Sequence, residues 1–231
     1  MKVEKLLTIA SVALLSVLAS CGSGSVDPTN SESLKDYAIE KASEAVVEEE
    51  SPIAGKMPSL YIRRSAALDT ISAIINAEID KLKPKDEGEV EDAFKKATVI
   101  RGAEESAEEA VKTYYDGEIQ KIATELAGKE FPCKFDSSQY SDAKASIEKV
   151  ESGRVWCNVK LTLSAPLAGR VAIRYVTYEF IDADGNEVQK GAASFNITEG
   201  NFDTGGVIDM KISASLKDCA KITAVNFYKS K

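Results

Sequence analysis

The chain has 231 residues, a formal net charge of −8 and no histidine. The missing imidazole excludes Ser-His-Asp and Cys-His catalysis, His-ligated zinc and the Glu-x-x-His ligand pairs of di-iron bundles. An acidic chain without a long basic run also argues against nucleic acid and anionic lipid surfaces as partners.

The chain opens with Lys2 and Lys5 ahead of an apolar run from Leu6 to Ser20. That run is shorter than the ~18–20 apolar residues a membrane-crossing helix needs, so residues 1–20 read as a cleaved export signal. The run ends in Leu18-Ala19-Ser20-Cys21, which resembles the lipobox of bacterial lipoproteins. The resemblance implies cleavage before Cys21, a diacylglyceryl group on its sulfur and a further acyl chain on its amine. Each buried methylene contributes about 0.8 kcal/mol, so two or three chains on Cys21 attach a protein to lipid without any transmembrane helix. No aspartate directly follows Cys21, so the inner-membrane retention signal of enteric lipoproteins is missing. The outer membrane is the expected location, facing periplasm or exterior. Cleavage would remove Lys2, Lys5 and Glu4, taking the charge from −8 to −9. Residues 21–33 are polar and small, and are expected to form a flexible tether.

Residues 34–128 carry helical periodicity. Leu34 to Glu50 aligns Leu34, Tyr37, Ala38, Ala42, Ala45 and Val46 on one stripe, with Ser33 and Asp36 spaced like a capping box. Ser51-Pro52 ends it. Ser59 to Lys83 forms the most apolar segment, through Leu60, Ala67, Ile71, Ile75 and Leu82, and Pro84 stops it. A third segment begins near Glu89. Gly102 weakens its middle, and Asp116-Gly117 is expected to kink or interrupt it before a last stretch to Gly128. Connectors of eight residues or fewer imply antiparallel neighbours, either a bundle or a helical hairpin.

From residue 129 to 231 the period changes to two. Expected strands are Phe131–Phe135, Ala143–Val150, Arg154–Ser164, Gly169–Ile181, Glu187–Ile197, about Ile208–Leu216 and about Lys221–Lys229. The clearest is Arg154–Ser164, where Val155, Cys157, Val159, Leu161 and Leu163 alternate with Trp156, Asn158, Lys160 and Thr162. Asp184-Gly185 supplies a hairpin turn. Strands this many, with short turns, fit an antiparallel β-sandwich, making the whole chain α+β. The phrase from Tyr178 to Asn186 resembles a strand–turn–strand of immunoglobulin-like sandwiches in bacterial surface proteins. The antibody-type Cys–Trp–Cys arrangement is not matched, because Trp156 directly precedes Cys157.

Candidate chemistry is sparse. Cys133, Cys157 and Cys219 remain after lipidation. An oxidised pair is plausible outside the cytoplasm, yet spacing does not choose among three pairings, and Cys157 equally suits a core position. Asp182, Asp184 and Asn186 are spaced like the start of a calcium loop, but Gly185 falls fourth rather than sixth, and a hairpin turn explains the same residues. Glu104, Glu105, Glu108 and Glu109 read as a solvated helix face. Trp156 is the one strong stacking platform, either exposed for recognition or covered by the helical region, with coverage favoured. No Walker loop, dinucleotide fingerprint or nucleophile elbow occurs, and no cofactor or metal is expected.

The expectation is a lipid-anchored envelope lipoprotein, non-catalytic, holding a binding or structural module for a protein or envelope polymer. The competing readings are a carboxylate-dependent glycan or peptidoglycan hydrolase and a small-ligand carrier. The hydrolase needs two facing carboxyls and the carrier needs an apolar cavity.

Overall fold

The computed structural model describes residues 26–46, 50–84, 86–167, 173–196 and 202–228. The expected signal segment, the Leu18-Ala19-Ser20-Cys21 motif and residues 22–25 of the expected tether lie outside the described residues. Among the described residues the architecture is α+β: a three-helix bundle joined to a two-sheet sandwich.

Helix α1 spans Ser31–Ala45. Asn30 caps it, its side-chain oxygen accepting from the N–H groups of Glu32 and Ser33. The helix therefore starts inside the expected tether, and Ser33 is helical rather than a cap. A strong N-cap residue three positions earlier captures the first free N–H groups. Leu34, Ala38 and Ala42 form its buried stripe.

Helix α2 spans Met57–Lys81 and begins earlier than the periodicity predicts. Pro58 sits in its first turn, where the missing N–H costs nothing. Helix α3 runs unbroken over Val90–Leu126, 37 residues or about 55 Å. It passes straight through Gly102 and Asp116-Gly117, against expectation. Ile100, Ala103, Ala107, Val111, Tyr115, Ile119 and Ala123 are buried at steps of three and four across both glycines. That continuous stripe outweighs about 1 kcal/mol of helix penalty at each glycine.

A few contacts fix the direction of each helix. Arg64 on α2 meets Asp116 on α3, and Gly55 just before α2 faces Ile122 and Leu126. The two helices are therefore antiparallel, with the 82–89 connector at the far end. Lys35 and Ile39 on α1 share a groove with Ser106, Ala110 and Tyr114, midway along α3. From Ala45, six residues reach Ser51, whose hydroxyl donates to the Cys219 carbonyl on the sandwich. Six residues span at most about 20 Å. If α1 ran parallel to α2, the gap would be roughly 30 Å along the axis. So α1 is antiparallel to α2. Val26, Ile79 and Leu82 pack on the bundle core, and the chain enters at the end away from the sandwich.

The sandwich comprises β1 Glu130–Phe131, β2 Cys133–Phe135, β3 Tyr140–Glu151, β4 Arg154–Leu163, β5 Ile173–Ile181, β6 Glu187–Asn196, β7 Val207–Ser215 and β8 Ala224–Phe227. One sheet has the order β1-β3-β4-β7 and the other β2-β8-β5-β6. The single strand expected over Phe131–Phe135 is two. Pro132 has no N–H for a ladder, and at that residue the chain leaves β3 in one sheet and joins β8 in the other. The β2–β8 pair is parallel, a departure from the all-antiparallel expectation. In immunoglobulin domains strands A, B, E and D share one sheet and C, F and G the other. Here β3, the neighbour of the first strand, has the next strand β4 on its other side, where strand B has E, so the strand order differs while the two-sheet plan is shared.

Val155, Cys157, Val159 and Leu161 of β4 share one core with Val176, Tyr178 and Phe180 of β5. The Tyr178 ring lies over Gly191 of β6, where a Cβ would come within 2.4 Å of it. One edge is closed by a side chain: the Gln189 amide donates to the Ser213 carbonyl and accepts from the Ser215 N–H. This mimics a backbone partner for β7 and ties the two sheets together. Cys133, Cys157 and Cys219 are all free thiols, so the oxidised pair entertained from sequence is not formed. The three sit on β2, on β4 and on a short 3-10 turn after β7, and Cys157 packs as a core hydrophobe.

Candidate functional site

The helical region meets the sandwich around the β3–β4 turn. Ser152 and Gly153 form that two-residue turn, both with positive φ (51° and 70°). A primed turn of this kind follows the right-handed twist of a hairpin. Gly153 is required twice over, because a Cβ there would lie 2.8 Å from the Tyr61 hydroxyl. Its carbonyl also accepts from the Leu216 N–H.

Beside this turn lies an open groove of about 570 Å³, walled by Tyr61 and Arg64 of α2, Asp116 and Gln120 of α3, and Lys149 to Gly153. Arg64 Nε stands 3.0 Å from Asp116 Oδ1, and Nη2 donates to Oδ2 at 3.4 Å. Gln120 Nε2 donates to the Val150 carbonyl at 3.0 Å. Lys149 Nζ stands 2.9 Å from Glu151 Oε2. The groove's charged groups are thus paired with one another: Arg64–Asp116 joins α2 to α3, Lys149–Glu151 lies within β3, and Gln120 clasps α3 to the sheet. Asp116 and Glu151 are the two carboxylates here, each facing its own cation. A second groove of about 670 Å³ lies between α1 and α3, lined by Lys35, Asp36, Ile39, Glu109, Ala110 and Tyr114 among others.

Trp156 lies half-buried on the outer face of β4, between Lys149 of β3 and Ser213 of β7. The flanking positions are polar: Glu148, bulged out of β3, pairs with Lys211, while Arg154 donates to the Ser213 hydroxyl at 2.9 Å. The sequence favours cover by the helical region over exposure for Trp156; the residue is half-buried, and its ladder neighbour Lys149 lines the junction groove.

The opposite sheet carries a polar constellation absent from the sequence reading. Lys190 and the Tyr228 hydroxyl both bond the Glu179 carboxylate, and Lys190 holds it below the usual carboxylate range. Lys190 also stands 5.9 Å from the Tyr228 ring centroid. Alternation predicts Glu179 and Lys190 on outward positions, but their pairing needs the β5–β6 register.

The acid-rich candidates resolve into local structure. The Asp182 carboxylate accepts from the N–H groups of Asp184 and Asn186 and from the Asn186 amide, closing the hairpin. Those bonds, the Asn186 side chain foremost, lower its pKa. On α3, Glu104 pairs with Arg101 and Glu108 with Lys112. Among the described residues no group of three or more acidic or cysteine side chains is placed to hold a metal. None of the described helices is long and apolar enough to cross a membrane. Cys21 lies outside the described residues. Neither a protein-family model nor a curated protein matches the chain.

Proposed function

We propose that the chain is a bacterial outer-membrane lipoprotein, attached through acylated Cys21, that carries a non-catalytic binding or structural module into the periplasm or to the exterior. The carrying observation is geometric. Val26 packs at the end of the bundle remote from the sandwich, so an anchor five residues earlier would leave the sandwich on the far side of a 37-residue helix. The bundle is then a spacer between lipid and sandwich. The outer face around Trp156, part apolar and ringed by Glu148, Lys149 and Arg154, is the surface favoured for contact with an envelope protein or glycan. The carboxylates of the junction groove are each taken up in an ion pair and Gln120 is engaged in holding α3 to β3, which favours the module over a hydrolase working in that groove.

Replacing the anchor tests the reading. Cys21→Ala should move the protein from the membrane fraction to the soluble fraction and abolish incorporation of labelled palmitate. Unchanged partitioning, or a mature amino terminus without acyl chains, would reject it.

A further inference from the structure

The tip of the bundle carries apolar surface that its own fold leaves uncovered. From Val90 to Val99, α3 contributes no buried side chain; burial begins at Ile100. This stretch overhangs the bundle, because α2 ends at Lys81 and antiparallel pairing sets that residue near position 98 of α3. Val90 and Phe94, one turn apart, are 50% and 72% exposed. The charges beside them are satisfied within the helix: Lys95 with Glu91 at 2.6 Å and Lys96 with Asp92 at 2.7 Å. Phe94 thus stands at a helix end with its neighbouring charges already paired.

The same end receives the amino-terminal chain. Val26 packs on the bundle core just ahead of α1, whose antiparallel course sets its start at the α2 terminus, and the five residues from Cys21 to Val26 span at most about 17 Å. We infer that Phe94 and Val90 rest in the interfacial region of the bilayer that holds Cys21, giving the protein a second, shallow contact that orients the rod. This rests on the acylation of Cys21. A single exposed phenylalanine binds lipid weakly by itself, but a tether this short converts its insertion into an intramolecular event at high effective concentration. An acidic chain suits a zwitterionic surface, where insertion needs no basic patch.

The test uses full-length acylated protein reconstituted into phosphatidylcholine vesicles, with and without bromine on the acyl chains near the headgroup. Wild type, whose one tryptophan is Trp156, gives the baseline, and Phe94→Trp reports the tip. Supporting the inference, Phe94→Trp emission shifts to shorter wavelength and loses intensity in brominated vesicles, while wild-type emission does not change. Vesicle-bound Phe94→Trp with unquenched emission overturns the lipid contact and leaves the anchor standing. A short-wavelength, unquenched signal would overturn it too and assign the tip to protein, a second copy included. Protein that fails to float with vesicles defeats the anchor and this inference together.

Discussion

Burial decides the chemistry of the three thiols. It pushes Cys157 and Cys219 up to about 12 and Cys133 up to about 11, from 9.0. Such groups are poor nucleophiles at neutral pH, since the thiolate is the reactive form. Stability follows with a definite sign. Above about pH 9 the unfolded chain releases these protons while the folded chain keeps them, so stability falls as pH rises from about 9 towards 12. Each fully coupled group contributes a slope of about 1.4 kcal/mol per pH unit. The urea midpoint of Cys21→Ala protein should therefore drop between pH 8 and 10.5, and adding Cys157→Ala should make the drop shallower. Identical slopes in the two proteins would refute the assignment. Of these positions, only Cys157 was legible beforehand, because a ten-residue alternation places it inward. Cys133 and Cys219 lie in three-residue elements, too short for a period to register.

At the level of elements, α3 exposes what local propensity leaves out. Gly102 and Asp116-Gly117 look like breaks when read one residue at a time. Seven buried residues along the helix hold both sites in helical conformation. Nothing lies within 4 Å of a Cβ placed at Gly102. Gly102→Ala should therefore stabilise the protein by about 0.4–1 kcal/mol, through a less flexible unfolded chain. A thermal midpoint raised by about 1–4 °C would agree, and a lowered one would show that the glycine serves another purpose. Alternation located most strands to within a few residues. It missed the change of sheet at Pro132 and the parallel β2–β8 pair, because partner choice is set by distant sequence.

At the scale of the molecule, the two regions are coupled. Ile119 and Ala123 of α3 belong to the sandwich core, and Val111 and Tyr115 of the same helix belong to the bundle core. Leu60 packs against both, and Ile53 and Ala54 of the connector, with Met57 at the start of α2, close the sandwich. The division at residue 128 marks the change of period, not a gap in packing. In urea, far-UV circular dichroism, dominated by helix, and Trp156 fluorescence should trace one coincident transition. Separate midpoints would mean the regions melt independently. The junction groove was not legible in the sequence. Tyr61, Arg64, Asp116, Gln120 and Lys149 come from three elements, and the one local cue was Gly153 between two alternating runs.

The entry of the chain at the start of α1 has a mechanical consequence. Tension between residue 26 and anything gripping the sandwich travels along the helix axes and crosses to the sandwich at Ser51 and Gln120. Pulled this way, α1 must slide as a unit past both neighbours, so the load is shared by Leu34, Ala38 and Ala42 together instead of unzipping them in turn. The fold is thus arranged to bear traction lengthwise.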